Sequence, residues 1–310
     1  TTAPDPQMLA YKVAAVTPGY ALGNASAPPA LNPPLPDVLV DSRAVFTPSP
    51  APCPQPSRFL RGRYAEGVIT VEGAACAGRE IYVNMLGAAE FAWRSFAAHW
   101  RQNGGSLADG LMQGKTPPAA RTLASRVSKP LGEVLADMNK HSNNLIARTV
   151  FLTLGHQENG PHSVQNAEAA VRRQLVSAGL DDEALVLENG SGLSRRERLT
   201  ARFLGSMLFQ AYRSPFRDTF IHTLPIAGTD GTLRGRFRQL GRSLRMKTGT
   251  LRDVRALAGY WLPPNGRKLA VVVIINSHRS GGYLPDMDAT VRRIVHDADV
   301  LDNMQTIPAQ

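Results

Sequence analysis

Lysine is scarce in this chain of 310 residues: six lysines stand against 29 arginines. Acidic residues are in deficit too, 25 against 35 basic ones, which leaves a net charge of +10 and a pI near 10.0. Such an excess suits an anionic partner, but the arginines are scattered apart from short clusters such as Arg195-Arg196 and residues 234–245. Aromatics make up only 6% and no basic helix is interleaved with them, which argues against nucleic acid. An anionic polymer such as a cell wall fits the charge equally well. No apolar run reaches the roughly 18 residues that a membrane-spanning helix needs, so no transmembrane segment is expected. There is no Cys-x-x-Cys and no His-Glu-x-x-His, so no metal site and no cofactor is expected. Cysteine occurs twice, at Cys53 and Cys76; the pair reads as a disulfide in an exported protein and as two thiols in a cytosolic one. The first residue is Thr1, without the charged-then-apolar pattern of a signal peptide, and two readings stay open: a removed leader or a fragment.

What is present is sufficient for about two domains with cores. Ten of the 23 prolines fall between Pro28 and Pro56, a density that forbids regular central strands and leaves edge strands and extended connections. Strand character appears at residues 11–16, 38–40, 45–47, 68–71 and 80–84. Ala89, Ala92, Trp93, Phe96, Ala97 and Trp100 then recur at helical spacing, an aromatic stripe expected to be core. Pro117-Pro118 marks a boundary. Beyond it the pattern predicts a strand at 121–125, a helix capped by Ser128, a second helix capped by Ser142 and stopped by Gly155, a third from His162 to Gly179, and one capped by Thr200. The run Asn189-Gly190-Ser191-Gly192-Leu193-Ser194-Arg195 lacks the spacing of a nucleophile elbow and reads as a structured turn. Two apolar strands, 254–262 and 269–275, meet at Pro263-Pro264-Asn265-Gly266, which makes them an antiparallel hairpin; a terminal helix over 286–301 follows.

Before that hairpin stands Lys247-Thr248-Gly249-Thr250, placed at the end of a short strand. An ammonium beside hydroxyls and a glycine on a sheet edge can hold a carboxylate and let a peptide backbone lie along the strand. Alone, the triplet is only a polar strand end. About a hundred residues earlier comes Ser142-Asn143-Asn144, and Ser-x-Asn followed by Lys-Thr-Gly is the order found in penicillin-recognising serine acyl enzymes.

With the 189–195 turn and the segment 224–233 between them, these blocks resemble the class C low-molecular-mass penicillin-binding proteins, from about residue 60 to the C-terminus. The resemblance implies an α+β fold of the β-lactamase/DD-peptidase type, an antiparallel sheet covered by helices, at residues 126–310, with residues 1–125 the remainder of an inserted β-rich domain. It implies a periplasmic serine-type D-Ala-D-Ala carboxypeptidase or endopeptidase acting on peptidoglycan stem peptides that end in D-Ala-D-Ala. Ser142 would relay a proton to the leaving nitrogen, Asn144 would hydrogen-bond the substrate amide, and Lys247 would supply positive potential. Thr248 and Thr250 would hold the terminal carboxylate beside Gly249, and the Thr250 N–H would be an oxyanion donor. Asn143 stands where the family often has aspartate.

The family's third motif, Ser-x-x-Lys, carries the nucleophile, and it is missing: the residues three before the six lysines are Leu9, Met112, Arg126, Asp137, Leu244 and Asn265. These residues alone are therefore expected to be inactive, and β-lactams to bind covalently only where the nucleophile segment is joined. The alternative is a non-catalytic fragment or degenerate relative that binds cell-wall peptide. The exported family also favours the Cys53–Cys76 disulfide, which closes a loop with 22 intervening residues and contributes about 3 kcal/mol in the chain-entropy picture. Thiol titration of the unreduced, denatured chain is expected to find no free thiol; two reactive thiols would refute the pairing.

Overall fold

A computed structural model describes residues 13–17, 30–47, 60–76, 81–84, 86–108, 110–112, 114–156, 164–180 and 183–305. The chain forms two compact units that divide between Ala124 and Ser125. Cys53 lies outside the described residues, and the expected pairing with Cys76 lies outside them with it.

In the N-terminal unit, β1 (Val13–Thr17) pairs antiparallel with β2 (Ala30–Asn32) and with β7 (Ile81–Asn84). A second sheet forms around β6 (Val68–Cys76). Strands β3 (Leu39–Ser42) and β4 (Val45–Thr47) run parallel to its successive halves, and β5 (Leu60–Ala65) pairs antiparallel with it. The period-2 alternation of β6 buries Ile69 and Val71, which join Leu35, Val38, Leu60 and Val83 in one cluster.

Helix α1 (Ala88–Gln102) packs Phe91 against this cluster and buries the small residues Ala97 and Ala98. Of the stripe expected to be core, Ala97 is buried and Trp93 half-buried, but Phe96 is 51% and Trp100 46% exposed. Their rings stack on each other with centroids 5.8 Å apart. Helical spacing places Trp93, Phe96 and Trp100 on one face but does not say which face turns inward; the alanines, which allow close approach, take that role.

The C-terminal unit is built on an antiparallel sheet in the order β10 (Leu269–Asn276), β9 (Val254–Trp261), β8 (Leu244–Leu251). Strands β9 and β10 alternate their side chains between two apolar layers, and β8 contributes Leu244 and Met246 to the first of them. Leu244, Met246, Leu257, Val271 and Trp261 face α7 (Leu284–Gln305) through Met287, Val291 and Val295. On the opposite face Tyr260, with Ala258 and Val272, meets Leu208 and Tyr212 of α5 (Ala201–Arg213) and Phe220 and Ile221 of α6 (Arg217–Thr223). The Tyr260 hydroxyl donates to the Leu208 carbonyl at 2.6 Å, so its burial leaves no unpaired donor. This is the expected α+β architecture, an antiparallel sheet with helices on its faces, and the hairpin lies where Pro263-Pro264-Asn265-Gly266 placed it. Lys-Thr-Gly sits within β8 rather than at its end.

The remaining helices are α2 (Leu131–His141), α3 (Asn144–Leu154) and α4 (Val164–Ser177); the expected start of α4 at His162 lies outside the described residues. Three local expectations fail. Residues 121–125 are exposed and make no strand, because a strand needs a ladder and, among the described residues, none pairs with them. Ser128 does not cap α2: Pro130 occupies the cap position, and the Ser128 hydroxyl donates to the Lys129 carbonyl instead. Ser142 does not cap α3 either. Asn143 does, its Oδ1 accepting from the N–H groups of Leu145 and Ile146 at 3.1 Å each. Thr200 caps α5 as expected, accepting from Phe203 N–H at 3.0 Å.

Candidate active site

The site begins at the end of α2. Ser142 terminates that helix in the left-handed conformation (φ 51°, ψ 47°), and its own N–H and that of Asn143 both return to the Met138 carbonyl. Left-handed backbone is uncommon away from glycine, asparagine and aspartate. Here it makes an elbow that hands the chain to α3. Because Asn143 does the capping, the Ser142 hydroxyl has no backbone duty and accepts a hydrogen bond from Lys247 Nζ. Asparagine and aspartate cap helices about equally well, so an asparagine here does what the aspartate implied by the resemblance would do. Asn144 opens α3 and lines the same cleft.

Lys247 comes from the edge strand β8, paired with Ala258 in the middle of β9. Its ammonium also donates to the Thr248 carbonyl at 2.7 Å. Burial pushes its pKa down to about 8. Low hydration penalises the charged form, and neither partner carries a negative charge to offset that.

Among the described residues, the outer edge of β8 is covered by backbone pairing only in its first half. There the Met246 N–H donates to Pro225, and Leu244 accepts from Ala227 N–H, at 3.1 and 3.0 Å. Since N–H groups alternate sides along a strand, those of Thr248 and Thr250 face the same way as that of Met246. No described strand pairs with them.

The cleft, about 490 Å³, is lined by Ser142, Asn144, Lys247, Thr248, Gly249 and Thr250 together with Asn139, Thr232 and the turn 190–193. All six expected site residues thus meet in one place. The turn is rigidly held. Glu197 Oε1 accepts from the N–H groups of Glu188, Asn189 and Gly190 at 3.3, 3.2 and 3.3 Å, and Arg148 of α3 donates to the Asn189 carbonyl at 3.0 Å. Gly190 (φ +68°) lies so close to Phe151 of α3 that an added Cβ would sit 2.3 Å from the ring. Asn139 and Thr232 were not anticipated, since an asparagine inside a helix and a threonine in a turn carry no pattern of their own. Thr232 is fixed by a 2.9 Å hydrogen bond from the Thr248 hydroxyl.

A concavity of about 800 Å³ lies in the N-terminal unit beside Trp93 and Arg94. Arg94 is already paired with Asp37 and Glu90, so that cavity offers no free charge from this side chain. Among the described residues no group of three or more His, Cys, Asp or Glu side chains could hold a metal ion, and no helix is long and apolar enough to cross a membrane.

The model of the D-Ala-D-Ala carboxypeptidase 3 (S13) family matches residues 13–295. The chain belongs to this family. It is 34% identical over 186 residues to the D-alanyl-D-alanine carboxypeptidase of Actinomadura sp. (strain R39), covering 58% of this chain and 34% of that protein. It is 32% identical over 182 residues to D-alanyl-D-alanine carboxypeptidase DacB of Haemophilus influenzae, covering 57% and 37%. The crystal structure of penicillin-binding protein 4 (dacB) from Haemophilus influenzae matches with a TM-score of 0.62 at 26% identity, over 86% of this chain and 60% of that one. The matched segments thus cover well under half the length of these curated relatives. Family and fold agree with the class C low-molecular-mass penicillin-binding proteins.

A ligand carboxylate placed beside Lys247 favours the ammonium over the amine. Affinity for a peptide with a free C-terminal carboxylate is therefore expected to hold below pH about 8 and to fall by up to about tenfold per pH unit above it. Calorimetric titrations on both sides of that pH check this, with Lys247→Met expected to bind weakly and without the pH dependence. Affinity that is flat through the transition would contradict the assignment.

Proposed function

We propose that these residues form the substrate-binding and proton-relay side of a serine-type D-Ala-D-Ala carboxypeptidase or endopeptidase, which acts on peptidoglycan stem peptides through an acyl-enzyme. The observation that carries the reading is the Lys247–Ser142 hydrogen bond beside the uncovered half of β8. A stem peptide lies along that edge as an added strand. Its terminal carboxylate meets the Thr248 and Thr250 hydroxyls and the potential of Lys247, Asn144 hydrogen-bonds its amide, and Gly249 keeps the strand surface low.

The nucleophile is the serine of a Ser-x-x-Lys segment, which these 310 residues do not contain. Its oxygen attacks the carbonyl of the penultimate D-alanine, and the Thr250 N–H stabilises the developing oxyanion. The C–N bond then breaks, and the nucleophile's proton passes by way of Ser142 to the departing D-alanine nitrogen. Water hydrolyses the ester and returns a free serine. Lys247, with its pKa held near 8, keeps the relay hydroxyl oriented and biases its proton toward the leaving group. Family membership supports chemistry outside the cytoplasm; we read the compartment as the periplasm, where β-lactams would acylate the same serine.

The absent nucleophile also supports a second reading, a relative that docks cell-wall peptide without cleaving it. Fluorescent penicillin and a D-Ala-D-Ala pentapeptide separate the two. Without a nucleophile, rate drops by about six orders of magnitude, so the isolated chain is expected to be neither labelled nor active. Joining a family Ser-x-x-Lys segment in cis is expected to restore both. No restoration would favour the binder. Stoichiometric labelling of the isolated chain at a serine within it would show that the nucleophile had been misassigned.

A further inference from the structure

Two residues before the Ser142 elbow, Lys140 in the last turn of α2 is paired with Asp230 at 2.7 Å, and the two side chains are only 19% and 27% exposed. Asp230 uses its two oxygens in different directions. Oδ2 takes the Lys140 ammonium, while Oδ1 takes the Ile226 N–H of its own turn, also at 2.7 Å. Burial works against the charge of Asp230, yet the Ile226 N–H, Lys140 and Arg245 together hold its carboxyl below the usual range.

The turn that carries Asp230 is itself fixed to the edge strand at both ends. Pro225 and Ala227 pair with Met246 and Leu244, and Thr232 accepts the hydrogen bond of Thr248. On its other side the turn is in backbone contact with α2. A Cβ added to Gly231 (φ +53°) would lie 2.7 Å from the Lys140 carbonyl, so glycine is required there twice over, for its φ and for the approach. Segment 225–232 is therefore a bracket: one face is pinned along β8 on both sides of Lys247, and the other grips α2 immediately before Ser142.

We propose that Asp230, acting through Lys140, is a positioning residue that sets the separation of Ser142 from Lys247. Ser142 and Lys247 come from elements 105 residues apart and have only a single hydrogen bond between them to fix their distance. Asn139, which donates to Thr223 at 2.7 Å, also anchors α2, but toward α6 and not toward the lysine strand. The Lys140–Asp230 pair alone, among the described contacts of this turn of α2, joins the elbow's helix to the bracket through side chains on both sides. Ion pairs this well shielded, once halved, leave a poorly hydrated charge, so removing one partner displaces the other.

The inference rests on the relay role proposed above for its meaning but not for its measurement, since the separation is readable without turnover. The 310-residue chain is labelled with carbon-13 lysine, and the Lys247 Cε resonance is identified by its loss in Lys247→Met. Its titration midpoint is expected near 8 in the unaltered chain. In Asp230→Asn the elbow withdraws and water reaches Nζ, so the midpoint rises by at least one pH unit, a tenfold gain in proton affinity. Losing a nearby negative charge without movement would lower it instead, so the sign separates positioning from simple electrostatics. Lys140→Met is expected to give the same rise and Lys140→Arg to restore the original midpoint. Asp288→Asn, which halves the comparably shielded Arg236–Asp288 pair (25% and 17% exposed), is expected to leave it unchanged. A midpoint unchanged or lowered in folded Asp230→Asn overturns the proposal whatever Lys140→Met does, since loss of the Lys140 charge alone also raises the midpoint. Failure of both to fold overturns it as well, because the pair would then be a determinant of the fold. Failure of the penicillin-labelling experiment is a separate result and leaves this one standing.

Discussion

A lysine ammonium placed where water is scarce, with no carboxylate in contact with it among the described residues, is the constraint that the C-terminal unit is arranged to satisfy. Lys247 is kept there by two neutral acceptors, the Ser142 hydroxyl and the Thr248 carbonyl. A buried ammonium without a counter-ion is costly, and groups with such shifted pKa values cluster at functional sites. The rest of the unit can be read as what is needed to hold Lys247 in that state. The sheet, with apolar layers on both faces, fixes the strand; α2 and α3 deliver the serine; the 188–197 turn closes the far wall.

The same economy explains the elbow. A serine in left-handed backbone is disfavoured by its Cβ, and it persists here because the residues on either side determine it. Met138 accepts the N–H groups of both Ser142 and Asn143, and Asn143 then caps α3. One short polar side chain, Asn143, serves the helix, and the one before it, Ser142, is left to accept from Lys247. Similarly, the edge strand is covered where it would otherwise be a liability and left open where a peptide would add to it.

Much of this was legible in the sequence where a residue's local pattern and its tertiary role coincide. The β9–β10 hairpin followed from two apolar runs around Pro-Pro-Asn-Gly, and the cap at Thr200 from one residue at the right place. Ser142, Asn144 and Lys247 were marked by motif order. What was not legible depended on partners. Spacing put Trp93, Phe96 and Trp100 on one face, but only the packing of Ala97 and Ala98 decided that this face stays half open. Residues 121–125 have strand composition without a strand to pair with. Ser142 and Asn143 are both good caps, and which one serves depends on Met138 and Lys247, residues the local pattern does not show. Lys140 and Asp230 are 90 residues apart, and neither carries a signal until the bracket brings them together.

The central claim is that Ser142, Asn144 and the Lys247–Thr250 strand constitute one peptide-carboxylate site. The most direct test is a backbone NMR titration of the chain with an acyl-D-Ala-D-Ala peptide, run beside its L-Ala-L-Ala counterpart. Shifts are expected at Ser142, Asn144, Thr248, Gly249 and Thr250, and to be stronger for the D-peptide. Shifts that are confined to other regions, such as the surroundings of Trp93 and Arg94, or that are equal for both stereoisomers, would contradict it.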